Sequence, residues 1–103
     1  MDASNFKEII NQIFDIEKKI TNSEMERSLS RNIRRIKSSL ENLGIQYHNP
    51  IGEKYNDTRT DCEAMINTDN LQDMKISEVV KPIIYYQEDG QIHLLQRAVV
   101  IIT

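Results

Sequence analysis

Apolar residues in the first part of the chain recur with the period of an amphipathic helix. Phe6, Ile9, Ile10, Ile13, Ile16 and Ile20 follow three- and four-residue steps, with Phe14 widening the stripe, and such steps place side chains on one helical face. Asn5 and Glu8 have the spacing of a capping box at its start. Thr21-Asn22-Ser23 interrupts the pattern, and Ser23 with Glu26 offers a second box. The next stripe is Met25, Leu29, Ile33, Ile36, Leu40 and Leu43, and Gly44 follows where helices commonly end in a left-handed residue. The pattern predicts helices over 5–20 and 24–43, joined by a short connection and therefore antiparallel neighbours.

Two helices cannot enclose a core. Each stripe is wider than one partner helix covers, and exposed isoleucine on this scale is an association hazard. Pairing two hairpins across a two-fold axis gives a dimeric four-helix bundle with Ile9, Ile13, Leu29, Ile33, Ile36 and Leu40 in its seam. The alternative is a hairpin packed on the C-terminal part of its own chain. The dimer is the preferred expectation.

Past Gly44 the pattern changes to strands and loops. Ile76 to Tyr86 and Ile92 to Ile102 are rich in Val, Ile and Tyr and flank Asp89-Gly90, a hairpin signal because glycine supplies the positive φ of a tight turn. Cys62 to Ile66 reads as a shorter strand, Pro82 as an edge or a bend, and residues 49–60 and 67–75 as polar loops. All three glycines and both prolines lie at or beyond Gly44. Residues 1–44 carry eight Lys/Arg against seven Asp/Glu, and residues 45–103 five against nine, so the composition shifts there too. The fold class is α+β, with a helical dimerisation hairpin over 1–44 and a small antiparallel β-domain over 45–103.

Composition narrows the function. The chain has 103 residues and a net charge of −3, which excludes a generic polyanion binder by bulk charge. One cysteine, Cys62, cannot close an internal disulfide, which points to an intracellular, cytoplasmic protein. The segment from Met1 to Asn5 has no basic start and leads into no apolar run of signal-peptide form. No stretch approaches the ~20 apolar residues of a membrane span.

Candidate chemistry is sparse. Cys62, His48 and His93 are the only residues suggesting nucleophilic or metal chemistry, and none belongs to a close Cys or His pair. Cys62, between Asp61 and Glu63, reads as a small buried hydrophobe on an alternating strand. No glycine-rich phosphate loop occurs. The expectation is a binding protein, with no catalytic residue, metal or cofactor. Arg27, Arg31, Arg34 and Arg35, with Lys37 nearby, form a basic stripe beside the apolar one. It reads as a contact to an acidic partner or RNA, or as a solvated face; the lack of interleaved aromatics argues against nucleic acid.

These residues carry a resemblance. Leu43-Gly44-Ile45 followed by Pro50-Ile51-Gly52-Glu53-Lys54-Tyr55-Asn56 resembles the junction of GrpE-type nucleotide exchange factors, where a helix ends in Phe-Gly-Val and Pro-Leu-Gly-Glu-x-Phe-Asp follows. Glu63-Ala64 is similar to the family's His-Glu-Ala, Tyr86 to Gly90 to its Tyr-x-Leu-Asn-Gly, and Arg97 to Ile102 to its Arg-x-Ala-x-Val-x-Val ending. Cys62 stands where the family has histidine, and Gln91 where it usually has arginine. The family's long N-terminal paired helix has no counterpart in these residues. The resemblance implies a homodimer whose β-domain binds the nucleotide-binding domain of a DnaK-type chaperone and promotes ADP release. By position it assigns that contact to Pro82, Tyr86, Asp89, Gly90, Gln91, Arg97 and Ile102, with Tyr86 also read as a structural anchor. The alternatives are a GrpE-like dimeric adaptor without exchange activity and a small RNA-binding dimer.

Overall fold

The computed structural model describes residues 3–103; Met1 and Asp2, which begin the segment read above against a signal peptide, lie outside the described residues. Helix α1 spans Ala3–Ile20 and α2 spans Glu26–Asn42. Because α1 begins at Ala3, Asn5 lies inside the helix and does not cap it, and Glu8 accepts a hydrogen bond from Gln12 instead. The second box is also displaced. The Glu26 carboxylate accepts the N–H of Asn22, not that of Ser23, while the Ser23 hydroxyl accepts the N–H of Met25. Gly44 ends α2 as expected. It has φ +84°, and its N–H reaches the Glu41 carbonyl at 2.9 Å.

Six strands follow: β1 (Ile45–His48), β2 (Cys62–Ile66), β3 (Ile76–Lys81), β4 (Ile83–Glu88), β5 (Gln91–Gln96) and β6 (Ala98–Ile102). They form two three-stranded sheets, ordered β1-β4-β5 and β2-β6-β3. The two long Val/Ile/Tyr runs are therefore not two strands but four. Pro82, which has no N–H to give a ladder, breaks the first run, and Arg97 breaks the second. The result is one bent hairpin whose tip belongs to the first sheet and whose base belongs to the second. Asp89 and Gly90, with φ +50° and +77°, make the two-residue turn, both in the sign that matches strand twist. Gln96 staples the bend: its side-chain amide donates to the Pro82 carbonyl at 2.9 Å and exchanges hydrogen bonds with Asn11 of α1.

The β region is not wholly antiparallel. β2 runs parallel to β6, with Cys62 opposite Ala98 and Ile66 opposite Ile102. Antiparallel pairing needs only a tight turn, whereas this pair is linked through the whole of β3, β4 and β5, so no local signal in the sequence marks it.

Two apolar cores result, and α1 serves both. Phe14 packs with Cys62, Ile76, Val79, Ile83, Ala98, Val100 and Ile102. One helical turn earlier, Ile10 packs with Leu40, Ile45 and Ile84. The centre of the α1 stripe is thus covered by the chain's own sheets. Lys18 secures the helix, donating to the Val79 carbonyl at 2.7 Å while its ammonium lies 5.5 Å from the centre of the Phe14 ring. Helix α2 joins through Ile33 and Leu40, which are buried. Its Lys37 pairs with Glu17 at 3.0 Å and sits over the Tyr47 ring, and the Tyr47 hydroxyl donates to Glu17. Burial first, and the Glu17 bond second, push the Tyr47 phenol well above its ordinary range. Among the described residues no helix is long and apolar enough to cross a membrane.

Candidate functional site

The first sheet has one covered and one open face. In β1 the order buried, exposed, half-buried, exposed puts Ile45 and Tyr47 toward the helices and Gln46 outward. Pairing carries this across the sheet: Gln46 lies opposite Tyr85, Tyr85 opposite Leu94, and Gln87 opposite Ile92. These five side chains share the uncovered face. Ile92 is 69% exposed and Leu94 43%, while the half-buried Tyr85 joins this face to the edge of the Phe14 core. A groove of about 210 Å³, lined by Glu41, Gly44, Gln46, Tyr85, Gln87 and Ile92, runs from it to the end of α2. Strand β5 itself contains no charged residue. An edge strand normally carries charge or proline to prevent pairing with other chains, so an edge without Asp, Glu, Lys or Arg that bears two exposed aliphatic side chains is the candidate binding surface.

The residues assigned by resemblance divide into four groups. Asp89, Gly90 and Gln91 are exposed at the hairpin tip beside the open face. Tyr86 is half-buried on the opposite, covered face and packs against Ile10, Leu40, Ile45 and Ile84, an anchor position. Pro82 and Ile102 are buried, so their side chains offer a partner nothing to touch. Arg97 is exposed, yet its guanidinium donates to the Cys62 carbonyl at 2.7 Å and ties the bend to β2. Ile92 and Leu94 are absent from the contact surface that the sequence assigns. The signal was present in the Asp-Gly turn, which fixes the register and hence which alternate residues of β5 share a face.

The loop before β2 is held by charge. Arg59 makes a bidentate contact with Asp61 at 2.9 and 3.1 Å, donates to the Lys54 carbonyl, and reaches Glu53 at 3.2 Å. The hydrogen bonds from Arg59 hold the Asp61 carboxyl below the usual carboxylate range. The Pro-Ile-Gly-Glu segment is docked on the start of β3: Gly52 N–H donates to the Ile76 carbonyl, and Ile76 N–H to Glu53. Its motif therefore has a structural use here, closing the Phe14 core, against which Tyr55 and Met74 pack.

Cys62 is 1% exposed, and burial pushes its thiol up to about 11, leaving little thiolate at neutral pH. His48 contacts Glu53 on the surface, and His93 is exposed on β5. Among the described residues no group of three or more His, Cys, Asp or Glu converges as a metal site would.

The assigned dimer seam also divides. Ile33 and Leu40 are buried within the chain, Ile13 packs against the Ile10 core, and Leu29 is partly covered. Ile9 and Ile36 remain exposed, together with Ile16, Met25 and Leu43. The Lys37 flank of α2 faces Glu17 and Tyr47, so the Met25, Ile36 and Leu43 stripe, on the other flank of Ile33, turns away from the sheets. Ile9 and Ile16 occupy the side of α1 remote from Phe14.

Compared with family models, curated proteins and solved structures, the chain matches none of them.

Proposed function

We propose that this chain is a GrpE-like nucleotide exchange factor, acting as a homodimer on the nucleotide-binding domain of a DnaK-type chaperone. The observation that carries this reading is the open apolar face of the first sheet, with Tyr85, Ile92 and Leu94 beside the Asp89-Gly90 tip. A rigid edge of this kind suits a protein that acts by shape. Binding the open form of a nucleotide cleft better than the closed form weakens the grip on ADP, and by reciprocity nucleotide expels the factor. No nucleophile or cofactor is needed for that work. The order of motifs from Leu43 to Ile102 supports the assignment.

The test is release of labelled ADP from the DnaK-type chaperone of the same organism. Wild-type chain accelerates release, and Ile92→Asp abolishes most of the acceleration, since a charge on this face must be desolvated on docking. Chaperone binding without faster release identifies an adaptor. No binding at all rejects the reading.

The dimer is supported by the uncovered surface of Ile9, Ile16, Met25, Ile36 and Leu43. Ile9→Asp with Ile36→Asp yields a folded monomer, because both positions are exposed within one chain. Ile33→Asp instead disrupts the fold itself. Light scattering and circular dichroism separate the two outcomes, and a wild-type monomer at micromolar concentration defeats the dimer.

A further inference from the structure

The outward face of α2 is a separate feature. Arg27, Arg31, Arg34 and Ser38 follow steps of 4, 3 and 4, forming one stripe with Arg35 beside it. All four arginines are exposed. Among the described residues none of them makes an ion pair, whereas Lys19, Lys37 and Arg59 are all paired. Helix α2 has no acidic residue between Glu26 and Glu41. Arg27 with Arg31, and Arg31 with Arg35, are like charges four residues apart, which destabilises a helix. The chain holds this repulsion without internal compensation. Arg31, Arg34 and Arg35 line, with Ser38 and Ser39, a shallow groove of about 530 Å³.

We propose that the Arg27, Arg31, Arg34 and Arg35 face of α2 docks an acidic protein segment whose carboxylates recur at helical spacing. Guanidinium is suited to this because its planar fork pairs a carboxylate through two parallel hydrogen bonds. Three neighbours select protein over other anions. No exposed aromatic on α2 is available to stack nucleic-acid bases. Continuing round the helix past Arg34, the surface meets Glu41 and then the groove toward Tyr85 and Ile92, where a phosphate backbone would face a carboxylate and leave aliphatic groups unmatched. A protein surface with an apolar centre and an acidic rim matches both parts. The exposed Met25, Ile36 and Leu43 stripe lies away from the arginines, the wrong arrangement for a helix lying on an anionic membrane, where cations flank the apolar face. The inference stands on α2 and goes beyond the proposed exchange activity; it does not require the partner to be the chaperone.

The probes are a helical peptide of about 20 residues with glutamates every fourth position, its glutamine counterpart, and a duplex DNA of similar length. Each is titrated against the full chain and against the triple variant Arg31→Gln, Arg34→Gln and Arg35→Gln. These exposed changes leave helicity intact by circular dichroism. The glutamate peptide binds wild type at low salt, and binds about tenfold or more weakly when either partner is neutralised or salt is raised severalfold. Equal binding of both peptides, or binding of neither, overturns the proposal. DNA binding more tightly than the glutamate peptide, with a steep salt slope, overturns it in favour of nucleic acid. A chain that binds the glutamate peptide but not the chaperone leaves the acidic-partner inference standing and removes only the exchange-factor reading.

Discussion

Phe14→Ala lowers the stability of the fold by about 3–5 kcal/mol, the range for deleting a buried aromatic ring. Phe14 is 2% exposed and lies among side chains from β2, β3, β4 and β6, so nothing collapses easily into the space it leaves. Ile16→Ala, two residues on and 45% exposed, costs under about 1 kcal/mol within one chain. Urea denaturation at two protein concentrations distinguishes the origins of these losses. The Phe14 loss is the same at both concentrations, because its contacts are internal, whereas any further Ile16 loss grows with dimer population. A Phe14→Ala cost below about 1 kcal/mol means that α1 does not pack on the sheets in solution.

Gly44→Ala is the second large effect, at about 2–3 kcal/mol. Two costs coincide at this residue. Its φ of +84° is one that L side chains rarely adopt, and a Cβ there lies 2.6 Å from the Gln87 carbonyl oxygen. That oxygen belongs to backbone, and Gln87 also donates its N–H to the Gly44 carbonyl at 2.7 Å, so the strand cannot retreat without losing the bond. Gly90→Ala meets only the first cost, since nothing lies within 4 Å of its Cβ position, and it loses about 1 kcal/mol. Thermal melts of both variants read the difference directly. Equal losses at the two glycines refute the close approach at Gly44.

The sequence disclosed the parts whose cause is local. Both helices lie within a few residues of the expected ranges, Gly44 ends α2, Asp89-Gly90 turns the hairpin, and β2 occupies Cys62 to Ile66. What it hid depends on residues far apart. Four residues of β1 are too few to show a period, and their strand character comes from pairing with β4. Continuous Val/Ile/Tyr runs read as long strands because a sheet-to-sheet bend does not alter composition. Pro82 marked the place, but not that the second run also breaks, at Arg97. The apolar stripe of α1 proved to have two destinations: Ile10 and Phe14 face the sheets, while Ile9 and Ile16 are left outside. Periodicity identifies an apolar face without saying what covers it. The same limit applies to Ile102, which lies near the family's contact region in sequence yet is completely buried.

The placement of β6 has a consequence for how the chain is made. It is the middle strand of its sheet, supplies Ala98, Val100 and Ile102 to the core around Phe14, and follows every element it touches. A nascent chain halted before Ala98 already carries both helices and the first sheet's strands. It lacks the surface on which Phe14, Cys62 and Val79 close. At ~5–20 residues per second of synthesis, the interval between completing α2 and completing β6 is several seconds. Until β6 is made, Phe14 and its neighbours in that core lack their full cover. Closure of the core around Phe14 therefore waits on β6, and until it closes the helices are the kind of exposed apolar segment that chaperones capture.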